Sequence, residues 1–269
     1  MTTASGPTVI SSRDNPWLKE LRRLAQEPGA ARRQARAWLE GDHLARALRA
    51  RGGQAEAAVF AESAWNALGL TVTGPESRDA WARVAAKVVV LPDALFQTVS
   101  GLESPARMGL VVALPPAPRL DPQAPTVVLD RVQDAGNVGA ILRCAAAFGF
   151  TQVMALKGTA ALWSPKVLRA GMGAHFGLQL LEGADPADLG QLAVPRLATS
   201  SHQGLWLHQA RQPWPCAWVF GHEGQGVGPE VAAFCDHWMR IVQPGGEESL
   251  NVATAAAICL HASAAARAA

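Results

Sequence analysis

The chain has 269 residues, of which 49% are hydrophobic and 17% are charged, so it can bury a large core and is not expected to be disordered. No apolar run reaches the roughly 20 uninterrupted residues that a membrane span needs, and residues 1–16 lack the pattern of a signal peptide. We therefore expect a soluble cytoplasmic protein. The net charge of +2 excludes no class of partner by itself.

The positive charge is concentrated near the N-terminus. Residues 1–51 carry ten Lys and Arg residues against five Asp and Glu residues, a net charge of +5. Such a segment is suited to contact a phosphate backbone, and a solvated helix face would show the same pattern. The charge alone therefore leaves both interpretations open.

The four cysteines bear on redox and metal chemistry. Cys144, Cys216, Cys235 and Cys259 are scattered along the chain and form no C-x-x-C pair. Zinc binding or redox catalysis would need closer spacing. We expect reduced and mostly buried thiols.

A proline-rich segment divides the chain. Residues 114–125 hold five prolines among twelve residues, which fixes the backbone repeatedly and excludes a helix. We expect a first domain over 1–115, a linker over 116–125 and a second domain over 126–269. The first domain is predicted to be a small α/β unit, with helices at 15–26, 41–51 and 79–86 and strands at 56–62, 87–92 and 108–115.

The second domain shows a regular alternation of short apolar runs and helical stretches. The apolar runs, rich in Val, Ile and Leu, lie at 126–130, 151–157, 196–200, 217–221 and 237–242. The helical stretches lie at about 137–148, 164–171, 185–191 and 228–235, with a last helix from about 249. Near-continuous apolar strands that alternate with helices predict an α/β fold with a parallel sheet covered on both faces.

Three loops are candidate ligand-binding segments, because open parallel sheets bind ligands at the carboxyl ends of their strands. In the first loop, 129–150, Asn137 lies where a helix cap is expected. Arg143 follows in an otherwise apolar helix, so it needs either a charged partner or a route to the surface. In the third loop, 241–258, Ser249 precedes an Ala-rich helix and is a candidate cap for it.

The second loop, 219–227, is a strand that runs into the glycine-rich turn GHEGQG. Its backbone groups can face a ligand. The turn matches neither the G-x-G-x-x-G pattern after a first strand nor a P-loop, which argues against a dinucleotide-dependent oxidoreductase and against nucleoside triphosphate binding.

In this order, the three loops resemble the signature motifs of the SpoU/TrmH branch of RNA ribose 2′-O-methyltransferases, in the SPOUT superfamily, over about 126–262. The segments ISSRDNPWLKELRRL and ARAWLEGDHL are similar to the ribosomal-protein-like RNA substrate-binding domain that many of these enzymes carry. The resemblance implies a C-terminal trefoil knot, S-adenosyl-L-methionine as cofactor, a homodimer and no metal.

The resemblance also implies the substrate class, a ribose 2′-hydroxyl in structured RNA. The N-terminal domain favours 23S ribosomal RNA over tRNA. A tRNA ribose 2′-O-methyltransferase is one alternative, and a catalytically silent RNA-binding or ribosome-assembly protein is the other. The joint presence of five polar residues favours an active enzyme over a silent binding protein: Asn137, Arg143, Glu223, Ser249 and Asn251.

Site residues follow from the resemblance by position. Cofactor contacts are assigned to Thr199, Gly221, Ile241, Gln243 and Leu250. The catalytic cleft is assigned to Asn137, Arg143, Glu223, Ser249 and Asn251. Arg143 would complete the site across the dimer interface, where it orients the target phosphate and ribose and stabilises developing charge; a role as base stays open.

The sequence departs from the family pattern at several positions. His222 stands where Asn is common, Val242 and Gln243 replace a common Pro-Met pair, and Gly171 stands where Ser is frequent. Since backbone groups make most of the cofactor contacts in this family, cofactor binding is still expected. His222 is interpreted as a loop residue rather than a catalytic acid.

Overall fold

The computed structural model describes residues 6–70, 74–102, 104, 106–245 and 249–268. The chain forms two compact units, one of Met1–Pro115 with Trp163–Phe176 and one of Pro116–Leu162 with Gly177–Ala269. The sequence placed 163–176 in the second domain, whereas its contacts group it with the first unit.

The first 115 residues form short helices and strands. Numbered along the chain, they are β1 (Thr8–Val9), α1 (Pro16–Gln26), α2 (Ala30–Gln34), β2 (Arg36–Glu40), α3 (Asp42–Ala50), β3 (Ala57–Ala61), α4 (Glu62–Leu68), α5 (Arg78–Val84), β4 (Val88–Leu91), α6 (Asp93–Gln97) and β5 (Met108–Ala113). The sheet order is β1-β4-β3-β5-β2, in which β5 is antiparallel to β3 and β2.

Helix α1 shows how the first unit is built. Its N-cap is Asn15, whose Oδ1 accepts hydrogen bonds from the N–H groups of Trp17 and Leu18, and Pro16 occupies the first turn. The helix buries leucines at a spacing of three residues, at 18, 21 and 24, against the sheet core. The predicted helices and strands of this unit are present, and β2 was missed because charged residues flank its three apolar positions.

The remaining residues contribute the other elements. They are β6 (Thr126–Leu129), α7 (Ala135–Ala147), β7 (Gln152–Leu156), α8 (Pro165–Gly171), β8 (Gln179–Ala184), β9 (Arg196–Thr199), β10 (Leu205–Trp206), β11 (Ala217–Phe220), α9 (Pro229–Ala232), β12 (His237–Arg240) and α10 (Val252–Ala268). Two 3₁₀ helices, Ala174–Gly177 and Pro186–Gln191, complete the set.

The second unit contains a seven-stranded sheet in the order β10-β12-β9-β11-β6-β7-β8. Every neighbouring pair is parallel. Strands β6, β7 and β11 are buried along their whole length, as near-continuous apolar runs require. The α/β fold with a parallel sheet is confirmed, while the trefoil knot stays a prediction.

The differences in the second unit lie at the edges and helix ends. Edge strands β8 and β10 were not predicted, because β8 has only one buried residue, Leu180, and includes Glu182, and β10 has two residues. The stretch 185–191 is a 3₁₀ helix over 186–191, and the helix predicted at 228–235 is limited to Pro229–Ala232.

Gly171 lies at the end of α8, within the first unit. A Cβ atom there would lie 2.5 Å from Cε1 of His175. The packed imidazole therefore explains why glycine, rather than the serine frequent in the family, occupies this position.

All four cysteines are free thiols, with Cys216 and Cys259 buried and the other two partly buried. Burial raises the pKa of Cys216 to about 12 and that of Cys235 to about 11, so both stay protonated at neutral pH. Across the described ranges, no helix has the length and apolar character needed to cross a membrane.

Candidate active site

A cavity of about 470 Å³ lies at the carboxyl ends of β9, β11 and β12, in the second unit. Its walls come from the loops that follow these strands and from the start of α10. The five residues to which the sequence assigned cofactor contacts all line it: Thr199, Gly221, Ile241, Gln243 and Leu250. Glu223 and Ser249 line the same cavity.

The loop that follows β11 forms one wall of the cavity. Gly221 has no room for a side chain, because a Cβ atom would lie 2.1 Å from the carbonyl carbon of Gly226. His222 and Gly226 exchange two backbone hydrogen bonds, of 3.0 and 2.8 Å, which close the turn. The imidazole Nδ1 of His222 accepts hydrogen bonds from the N–H groups of Gly224 (3.0 Å) and Gln225 (3.2 Å).

Glu223 connects this loop to the start of α7. Its carboxylate accepts hydrogen bonds from the backbone N–H groups of Gln133 (3.2 Å) and Asp134 (3.1 Å) and from Nδ2 of Asn137 (3.2 Å). Partial burial raises the pKa of Glu223, but these hydrogen bonds outweigh it and hold the pKa below its usual value. The carboxylate is therefore ionised and its oxygens are occupied, which fits a positioning group better than a base.

Asn137 and Asn251 extend the same chain of hydrogen bonds into the third loop. Nδ2 of Asn251 donates to Oδ1 of Asn137 at 2.8 Å. Oδ1 of Asn251 accepts from the N–H groups of Ala253 (2.9 Å) and Thr254 (3.2 Å) at the start of α10. The network thus joins all three loops that the sequence singled out.

Two predicted helix caps are wrong. Asp134, and not Asn137, caps α7, since its side chain accepts a hydrogen bond from the N–H group of Asn137, the third residue of the helix. Asn251, and not Ser249, caps α10. The helix begins at Val252, and the N–H groups of Ala253 and Thr254 in its first turn donate to the Asn251 side chain. Ser249 instead lines the cavity.

Arg143 is separate from this network. It is exposed on α7, does not line the cavity, and makes no hydrogen bond or salt bridge with a described residue. It follows Asn137 by six residues, which is about 9 Å along the helix axis and about 240° around it. Asn137, Glu223 and Asn251 are therefore brought together, and Arg143 is not.

Sequence reasoning missed a buried ion pair beside the loop. Asp130, at the end of β6, is buried; its carboxylate pairs with Nε of Arg131 at 2.8 Å and accepts the N–H of Gly228 at 2.6 Å. Arg131, whose pKa is raised by the hydrogen bond to Asp130, also donates to Oε1 of Gln225 at 3.0 Å. An Asp-Arg pair directly after the first strand of the sheet was the available signal.

The cavity has chemical features that suit a cationic cofactor with amino groups. Glu223 carries the only formal charge among the described lining residues, if the histidines are neutral, and no Lys or Arg lines it. The amide oxygen of Gln243 is buried without a hydrogen-bond partner among the described residues, so it offers an acceptor to a ligand N–H group. No cluster of three metal-ligating side chains occurs in the described part of the chain.

The chain is similar to known proteins over most of its length. Residues 124–261 match the model of the SpoU rRNA Methylase family. The chain is 32% identical over 272 residues to the uncharacterized tRNA/rRNA methyltransferase slr1673 of Synechocystis sp., covering 94% of this chain and 92% of that protein.

Two further similarities concern ribose methylation. The chain is 30% identical over 175 residues to the 23S rRNA (guanosine(2553)-2′-O)-methyltransferase RlmP of Bacillus subtilis, covering 64% of this chain and 70% of RlmP. It is also similar to the crystal structure of an RNA 2′-O ribose methyltransferase, with a TM-score of 0.77 and 27% identity, covering 97% of this chain and all of that one (100%).

Proposed function

Because the chain belongs to the SpoU rRNA methylase family, we propose that it transfers a methyl group from S-adenosylmethionine to a ribose 2′-hydroxyl of structured RNA, with 23S ribosomal RNA as the favoured substrate. One observation carries the proposal: a single hydrogen-bond chain joins the three motif loops beside a cavity lined by every residue expected to contact the cofactor. We expect the reaction in the cytoplasm.

The cavity residues fit S-adenosylmethionine. When bound, the cofactor supplies an electrophilic methyl group on a positively charged sulfonium, so no metal is needed. Glu223 gives the cavity the negative charge that favours a cation, and the absence of Lys and Arg from the described lining avoids repulsion. The buried oxygen of Gln243 would accept a hydrogen bond from an amino group of the cofactor. The close approach of Gly221 to Gly226 would leave backbone groups of the loop facing the ligand.

We assign distinct roles to the polar residues. Glu223, Asn137 and Asn251 hold the three loops in register and position the ribose beside the cofactor. Ser249, which is exposed on the cavity wall, can accept or donate a hydrogen bond to the substrate. Arg143 orients the target phosphate and stabilises the negative charge that develops on the 2′-oxygen as this oxygen bonds to the methyl group, the methyl–sulfur bond breaks and the hydroxyl proton passes to the phosphate or to water.

The position of Arg143 supports action across a homodimer. Within its own subunit Arg143 is exposed and lies outside the cavity. We propose that each subunit supplies Arg143 to the cavity of the other. The N-terminal region, with its net charge of +5 over residues 1–51, would bind the RNA.

The test combines transfer and binding. Purified protein with labelled S-adenosylmethionine should methylate 23S rRNA more than tRNA, and the product should resist alkali at one ribose. Arg143→Ala should abolish transfer while the cofactor Kd, measured by calorimetry, changes less than about twofold, since Arg143 does not line the cavity. No cofactor binding by the wild type would favour a silent RNA-binding protein, and preferential transfer to tRNA would favour the tRNA alternative.

Subunit mixing tests the shared site. Arg143→Ala subunits lack the cation, and Gly221→Ala subunits bind the cofactor at least about tenfold more weakly because loop 221–227 is distorted, so at cofactor concentrations near the wild-type Kd each variant should be nearly inactive alone. After exchange, half of the dimers are mixed and each has one intact site, so about one quarter of wild-type activity should return. No recovery, with exchange verified by mass spectrometry, would place Arg143 in its own subunit's site, and an active Arg143→Ala variant would place it in none.

A further inference from the structure

The imidazole of His222 makes two hydrogen bonds within the loop 221–227. Its Nδ1 accepts hydrogen bonds from the N–H groups of Gly224 (3.0 Å) and Gln225 (3.2 Å). Since both partners are backbone donors, Nδ1 must carry the lone pair and the ring proton must lie on Nε2. The closed loop therefore requires a neutral imidazole in one tautomer.

This loop is a wall of the cofactor cavity. Every residue from Gly221 to Val227 lines the cavity. The loop is also held by Arg131, which donates to Gln225, and by Asp130, which accepts the N–H of Gly228. The backbone pair of His222 and Gly226 and the contacts of Glu223 hold it as well, while the ring of His222 holds the N–H groups of Gly224 and Gln225.

We propose that His222 is a positioning residue that makes cofactor binding sensitive to protonation, because the neutral ring closes the 221–227 loop and the protonated ring releases it. The inference rests on the proposed function. A proton on Nδ1 would turn the acceptor into a donor that faces two other N–H donors. The loop would then lose both hydrogen bonds to the ring, and the backbone of residues 224 and 225 in the cavity wall would shift, while the backbone pair of His222 and Gly226 remains.

The other ionisable groups near the loop do not explain such a response. Glu223 accepts hydrogen bonds on both carboxylate oxygens, and its pKa is lowered, so it stays ionised down to mildly acidic pH. Asp130 and Arg131 form a salt bridge with each other. His202 also lines the cavity and, if it carried a charge, would repel a cationic cofactor without acting on the loop, so it requires its own control variant.

The experiment measures the Kd of S-adenosylmethionine by calorimetry on the full-length protein at about pH 8 and about pH 5.5, on either side of the usual titration of imidazole. The variants are His222→Asn, His222→Ala and, as the matched control in the same cavity, His202→Asn. Asparagine places an amide oxygen one bond beyond Cγ, where Nδ1 lies in histidine, and this oxygen does not titrate in that range.

The wild type should lose about tenfold more affinity between the two pH values than His222→Asn, from the loss of two hydrogen bonds. His222→Ala should bind about tenfold more weakly than the wild type at about pH 8, and His222→Asn should restore most of that loss. His202→Asn should keep the wild-type pH dependence. Circular dichroism melts establish that each variant is folded.

The outcomes separate the two proposals. The inference is overturned if His222→Asn keeps the pH dependence of the wild type, if His202→Asn removes it, or if the wild type shows none. If His222→Ala does not fold, the comparison of His222→Asn with the wild type still decides. Failure of the wild type to bind S-adenosylmethionine at about pH 8 would instead refute the proposed function, and the inference with it.

Discussion

Asn251 does two jobs with two different atoms, and replacing it by Asp separates them. Oδ1 caps α10 by accepting from the N–H groups of Ala253 and Thr254, while Nδ2 donates to Oδ1 of Asn137 at 2.8 Å. Aspartate keeps the acceptor and adds a negative charge that suits a helix N-terminus, which offsets the loss of the exposed hydrogen bond to Asn137, so we expect the free energy of unfolding to change by less than about 1 kcal/mol. Asn251→Ala loses the cap as well as that hydrogen bond and should cost about 2 kcal/mol.

In Asn251→Asp, kcat/KM should fall although the stability of the fold is nearly kept. In Asn251→Asp, a carboxylate oxygen would face the carbonyl oxygen of Asn137, so the chain from Glu223 through Asn137 to α10 is broken. Loss of one such exposed contact is worth about 0.5–1.5 kcal/mol, which corresponds to a decrease of about 2- to 10-fold in kcat/KM. Thermal melts and single-turnover methyl transfer provide the two readouts.

A matched substitution controls for the cap. Asn15 caps α1 in the same way, with Oδ1 accepting from the N–H groups of Trp17 (2.9 Å) and Leu18 (3.3 Å). Asn15→Asp should therefore change the melting temperature as little as Asn251→Asp does. Full methyl transfer by Asn251→Asp would refute the role given to the amide chain, and a melting temperature as low as that of Asn251→Ala would refute the capping argument.

Two further substitutions test the loop and the core. Gly221→Ala should weaken cofactor binding at least about tenfold in calorimetry, because its Cβ would lie 2.1 Å from the Gly226 carbonyl carbon, whereas Gly224→Ala meets only ordinary contacts at 3.8 Å and should bind nearly as the wild type does. Ser263→Ala should lower the free energy of unfolding in urea by about 1–3 kcal/mol, because it leaves the buried Nε1 of Trp218 without its 2.9 Å acceptor; an unchanged midpoint would contradict this.

The sheet of the second unit was predictable because its central strands are buried on both faces. Strands β6, β7 and β11 are almost uniformly apolar, so their sequences alone distinguish them from loops. Strands β2 and β8 carry charged or exposed residues and take their strand conformation from their neighbours in the sheet. A strand that depends on pairing with its neighbours need not show the alternation of apolar and polar residues by which strands are recognised in a sequence.

The site was predictable to the level of which loops meet, and less so in how they meet. The order of three motifs identified the cavity residues, yet the partners of each side chain depend on contacts between distant positions. Asn137 lies 114 residues from Asn251, and Asp130 lies 98 residues from Gly228. Which residue caps a helix also depends on where the backbone turns, and for that reason Asp134 and Asn251 took the roles predicted for their neighbours.

The charges around the cavity support the role that we propose for Arg143, which lies outside the network of polar residues. No Lys or Arg is found among the described residues that line the cavity, which suits a cationic cofactor but leaves nothing there to bind an RNA phosphate. Arg131, which contacts the loop, is neutralised by buried Asp130. A phosphate beside the cofactor therefore needs a cation from outside these loops. Arg143 is exposed and unpaired among the described residues, and we propose that it supplies that charge to a second subunit, as the mixing experiment tests.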